Sequence, residues 1–173
     1  MDPRTDSEPT PVKNRTTVER KSEREFVVTR TFNAPARLVF EAWTKPELIK
    51  RWWVPKSIGM SLLSCEMDVR VGGSYRFVFG QDASQTMAFF GKYIEVTPHA
   101  RLVWTNEEGG GEAVTTVTFE EKGGKTLLVL HERHPSKEAV DEAIGFGEGL
   151  RETFEQLDEL LATDGGKGLT WGS

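Results

Sequence analysis

Apolar and polar residues alternate through most of the middle of the chain, and the spacing changes to three-and-four near each end of that region. Residues 26–32, Phe-Val-Val-Thr-Arg-Thr-Phe, combine aromatic and β-branched side chains and predict a strand. Asn33-Ala-Pro35 follows as a helix start, with Asn33 as the expected N-cap. Leu38, Val39, Ala42 and Trp43 then recur at helical spacing, which predicts a short helix over 35–43. A second short helix is expected from Pro46 to about Trp52, turning Leu48, Ile49 and Trp52 or Trp53 inward and closed by Pro55 and Gly59.

From residue 60 the period is two. Strands are expected at 60–69, 75–79, 87–96, 101–105, 114–120 and 126–132, with turns at Val71-Gly-Gly73 and Lys122-Gly-Gly-Lys125 and a loop over 107–111. The connections are too short for crossover helices, so the sheet is antiparallel. Pro135-Ser136 opens a long helix reaching Ala162, whose inward positions are Ala143, Gly147, Leu150, Phe154, Leu157 and Leu161. Strand, two short helices, six strands and one long helix make an α+β class.

Residues 1–25 contain no Phe, Trp, Tyr, Leu or Ile. With so little to bury, residues 1–23 are expected to be a disordered tail, the folded domain to span 24–163, and Gly-rich 164–173, which holds Trp171, to be flexible. The net charge of −5 disfavours a nucleic-acid partner, which requires a basic surface. A single cysteine excludes an internal disulfide, and no apolar run approaches the ~20 residues of a membrane span. The expected setting is cytoplasmic. Ten Phe, five Trp and two Tyr against three His is the remaining imbalance, and alternation assigns it a place. Tyr75, Phe77 and Phe79 share one face, as do Leu102 and Trp104, and Val117 and Phe119. Two strands stay open: Phe89/Tyr93 or Phe90/Ile94 faces inward in one, and Leu128/Leu130/Glu132 or Leu127/Val129/His131 in the other.

Several short motifs occur in order: Phe32-Asn-Ala-Pro35, Val39-Phe-Glu-Ala-Trp43, Lys50-Arg-Trp-Trp53, Gly72-Gly-Ser-Tyr75, Gly91-Lys-Tyr-Ile-Glu-Val96, Arg101-Leu-Val-Trp104 and Glu148-Gly-Leu150. Together they resemble the activator-of-Hsp90-ATPase homologue-1-like family of the START/Bet v 1-like (SRPBCC) superfamily, from about Phe26 to Ala162. The resemblance implies a helix-grip fold, a curved antiparallel sheet wrapped around a long C-terminal helix, with an apolar cavity between them. It favours Leu128, Leu130 and Glu132 as the inward set. The candidate lining residues are then Trp43 and Trp53 from the short helices, and Tyr75, Phe77, Phe79, Phe89 and Tyr93 from the central strands. Trp104, Phe119, Leu130 and Glu132 come from the later strands, and Gly147, Leu150 and Phe154 from the helix.

For each there is also a plain packing reading. Gly147, between Gly145 and Gly149, either leaves room for a ligand or lets a bulky sheet residue approach. Glu132 is either a surface carboxylate or a buried one, with Arg76 and Arg151 as candidate partners. One of Trp52 and Trp53 anchors the short helix, and the other stands at the cavity mouth or forms part of a contact surface.

His131-Glu-Arg-His134 lacks the four-residue helical spacing of a zinc protease, so no metal is expected. Cys65 is expected to pack as a small apolar residue, no nucleophile elbow or phosphate loop occurs, and no cofactor is expected. The leading reading is a protein that binds a hydrophobic or lipid-like small molecule, with binding favoured over catalysis and the question of catalysis left open. An enzyme of cyclase, dehydratase or hydrolase type on a hydrophobic substrate, or a chaperone regulator, are the alternatives. A homodimer is compatible with each.

Overall fold

The computed structural model describes residues 15–82, 84–107 and 113–164. The expected tails 1–14 and 165–173, with Trp171, and residues 108–111 of the expected loop lie outside the described residues. The chain runs β1 (Thr17–Ser22), β2 (Glu25–Phe32), α1 (Ala36–Thr44), α2 (Pro46–Ile49), a 3-10 turn (Lys56–Ile58), β3 (Ser61–Met67), β4 (Ser74–Asp82), β5 (Gln85–Thr97), β6 (Arg101–Asn106), β7 (Ala113–Lys122), β8 (Lys125–Arg133) and α3 (Lys137–Asp164). Eight strands form one antiparallel sheet in the order β1-β2-β8-β7-β6-β5-β4-β3, curved around the long α3 as an α+β helix-grip arrangement. Among the described residues no helix is long and apolar enough to cross a membrane.

Three expectations need correction. Residues 17–22 are not a disordered tail but the edge strand β1, paired with β2 from Thr17↔Thr29 to Ser22↔Glu25. Its polar residues point to solvent and only Val18 packs on the core, so ladder hydrogen bonds rather than burial hold it. Asn33 does not cap α1: Pro35 is the N-cap residue, and the amide of Ala36 donates instead to Glu121 Oε1 of β7 at 2.9 Å. The second helix ends at Ile49, after which the chain turns through Trp52 and Trp53.

Curvature has a local cause in β5. Its first part pairs with β4 up to Ser74↔Lys92, its last part with β6 from Tyr93↔Trp104, and the register slips between Tyr93 and Glu95. Gly91 sits at this handover, where an added Cβ would lie 2.0 Å from the Thr105 carbonyl oxygen, so no side chain fits. The helix start is as expected: the Ser136 hydroxyl accepts from the Ala139 amide at 3.1 Å and caps α3.

The two halves of α3 have different neighbours. Leu150, Phe154, Leu157 and Leu161 are buried in a continuous core with Phe32, Trp43, Trp52 and Phe119. At this end the rings interlock, with Phe154 edge-on to Phe32 at 5.5 Å and Trp43 edge-on to Trp52 at 4.9 Å. The first turns of α3 roof the other end, which is not filled.

Candidate functional site

Between the concave face of the sheet and the first half of α3 lies a cavity of about 630 Å³. Alternation in β4 sends Tyr75, Phe77 and Phe79 into it, and Arg76 to the opposite side over Phe90. Phe89 and Tyr93 of β5 face the cavity, whereas Ile94 is exposed, which resolves the open choice in that strand. In β8 the inward set is Leu128, Leu130 and Glu132; His131 points to the other face and bonds Glu25 at 2.8 Å. Trp43 and Trp53 close the floor, edge-on to each other at 5.7 Å. Trp52 is fully buried and donates its indole N–H to the Ala42 carbonyl, so it is the anchor of the pair. The N–H groups of Trp43 and Trp53 are buried without a hydrogen-bond partner among the described residues.

Ten of the fourteen candidates stand on this wall: Trp43, Trp53, Tyr75, Phe77, Phe79 and Phe89, with Tyr93, Trp104, Leu130 and Glu132. Phe119, Leu150 and Phe154 do not; they pack in the filled end of the core. Gly147 is not on the wall either. A Cβ there would meet the Phe26 ring at 2.9 Å, so the residue serves close approach of that ring and leaves no space for a ligand. The candidates lacked the roof residues Ala139 and Phe146, the rim of Ile58 and Met87, and three polar residues, Asn106, His134 and Glu142, while Ala143, expected only on the inward helix face, also belongs to the roof. Phe146 meets Phe89 edge-on at 5.6 Å and so joins the helix to the sheet across the cavity. Ile58 and Met87 are 45% and 56% exposed, which places them at the mouth.

Apolar side chains dominate the wall, and Tyr75, Trp104, Asn106, Glu132 and His134 are joined through Thr115 into one hydrogen-bonded chain. The Tyr75 hydroxyl donates to the Thr105 carbonyl at 2.7 Å and also lies 3.3 Å from Asn106 Oδ1, which accepts from Trp104 Nε1 at 3.3 Å. Asn106 Nδ2 donates to Thr115 Oγ1 at 2.6 Å, and Thr115 donates onward to Glu132 Oε2 at 3.3 Å. His134 Nε2 lies 2.9 Å from Glu132 Oε1. Glu132 is therefore buried, with His134 and Thr115 as partners, and neither Arg76 nor Arg151 reaches it; Arg151 bonds Glu148 and the Thr16 carbonyl. With the carboxylate oxygen as acceptor, His134 Nε2 is the donor of this bond. The Phe26 ring lies nearly parallel to the imidazole at 6.0 Å, and the His134 amide donates to the Arg24 carbonyl, which together fix the ring's position. Burial holds the Tyr93 phenol well above the usual tyrosine range, so it stays protonated.

A family model described as Activator of Hsp90 ATPase homolog 1-like protein matches residues 33–162. Among solved structures, a protein from Nitrosomonas europaea is 28% identical, with 83% of this chain and 97% of that chain covered at a TM-score of 0.72. A Staphylococcus epidermidis protein is likewise 28% identical, covering 85% and 94% at a TM-score of 0.71. One from Rhodobacter sphaeroides shares 23% identity and the same fold, covering 86% and 98% at a TM-score of 0.77. No curated protein matches the chain.

Proposed function

The chain belongs to the activator of Hsp90 ATPase homolog 1-like family, within the START/Bet v 1-like superfamily, and from that premise we propose that it binds a hydrophobic small molecule between its sheet and α3. One observation carries the reading: a cavity of about 630 Å³ whose wall is mostly aromatic and aliphatic, with a few polar residues linked by hydrogen bonds. Ligand sites of roughly 300–1,000 Å³ have this composition, since apolar surface supplies affinity and a few placed polar groups supply orientation. The filled end of the same core shows that the chain can pack its aromatics tightly. Leaving the other end open is then a property of the wall residues chosen there.

The test is a titration of the full chain with the apolar fluorophore N-phenyl-1-naphthylamine. Saturable enhancement with one site per chain is expected, and Ala143→Trp, which places an indole in the roof, abolishes it. Absence of a saturable signal, or one unchanged by Ala143→Trp in a folded variant, overturns the proposal.

A further inference from the structure

We propose that Glu132 and His134 form the polar anchor of this cavity and select a largely apolar ligand that carries a hydroxyl group. The inference rests on the cavity being a ligand site and names what that site recognises. Both residues line the cavity, and their side chains are only 8% and 10% exposed. A carboxylate so deeply buried is costly unless its oxygens are occupied, and here both are, by His134 Nε2 and the Thr115 hydroxyl.

The consequence falls on the other ring nitrogen. In the neutral ring, with Nε2–H given to Glu132, Nδ1 keeps its lone pair and is an acceptor. The chain from Trp104 through Asn106 and Thr115 sets the direction of each bond leading to Glu132. The donors of that chain are committed to one another, so the acceptor on His134 is what this group of residues offers a guest. A ligand O–H satisfies it; an ether oxygen at the same position does not.

The matched probes are 2-naphthol and 2-methoxynaphthalene, titrated into the full chain by calorimetry. The methoxy compound is the more apolar of the two, so burial alone favours it. The expected result is about tenfold tighter binding of 2-naphthol, the scale of one buried hydrogen bond. His134→Phe loses the preference: the ratio of the two affinities falls to about one, whatever the change in either alone. In the unaltered protein, the ¹⁵N resonance of His134 Nδ1 moves with 2-naphthol and stays in place with 2-methoxynaphthalene, a readout independent of the variant's folding. Equal binding of the two probes, a preference that survives His134→Phe, or an unmoved Nδ1 resonance overturns the anchor while leaving the cavity reading intact. Failure of both probes to bind overturns both.

Discussion

Cys65 shows how burial decides chemistry for a single side chain. Half-buried on β3, its thiol is pushed up to about 11 by loss of hydration, with a smaller opposing effect from Lys50. At pH 8 the thiolate is scarce, so alkylation by iodoacetamide is expected on the order of a hundredfold slower than for an unstructured cysteine. A rate near that of the free amino acid contradicts this. Glu132 illustrates the opposite situation, a buried group that must keep its partners. Glu132→Ala strips the acceptor from both His134 and Thr115 and is expected to lower unfolding stability by about 2–4 kcal/mol in urea titrations, with Glu132→Gln costing less. Sequence placed Glu132 correctly on the inward face of β8 once the register was chosen, but gave no sign of its burial. The reason is physical: its partners lie on β7 and beyond the end of β8, and only folding brings Thr115 opposite Glu132. Arg30 is a similar case. It sits in a strand that reads as half-exposed, yet its side chain is 1% exposed, bonded to Thr16, Glu155 and Asp158, and lies over the Phe32 ring.

That arginine joins β2 to α3, and its loss is best judged by pH at the scale of the two elements. Desolvation raises the Asp158 carboxyl above its ordinary range, and Arg30 opposes the shift. In Arg30→Met the opposing charge is gone, so Asp158 binds its proton more readily in the folded than in the unfolded chain. The folded state then gains from protonation in acid and loses that gain as pH rises through the raised value. The destabilisation caused by Arg30→Met is therefore expected to be smaller at pH 4 than at pH 7, and equal penalties at both contradict the assignment. Within α3, Gly145 and Gly149 have nothing within 4 Å of an added Cβ, whereas Gly147 meets Phe26. Gly145→Ala and Gly149→Ala are each expected to stabilise by up to about 1 kcal/mol, and Gly147→Ala to destabilise by displacing the ring that backs His134. The helix, its Ser136 start and the β7–β8 hairpin were legible because each rests on local signals. β1 was not, since Thr17–Ser22 has one inward apolar residue and forms only because β2 offers a ladder. The cap of α1 escaped for the same reason: Glu121 is 85 residues away in sequence.

At the scale of the whole molecule, α3 divides the interior into a filled end and an open one. Strand alternation revealed the sheet side of that interior, which carries eight of the ten wall residues, while Trp43 and Trp53 come from the short helical region. Helical periodicity revealed which face of α3 turns inward but not how far along the helix the packing closes. Hence Leu150 and Phe154 lie inward yet belong to the filled end, while Ala139, Ala143 and Phe146, a turn or more earlier, form the roof. Depth along a helix depends on where the strands beneath it end, and that is a tertiary fact. The central claim is occupancy of the open end by a hydrophobic molecule. It is tested most directly by ¹H–¹⁵N spectra of the full chain during titration with 2-methoxynaphthalene. The expected result is saturable shifts at one equivalent, concentrated at Phe77, Phe89, Ala143 and Phe146 and absent around Phe32 and Leu157. Shifts that do not saturate, or that gather at exposed Val71 and Ile94 instead, contradict it.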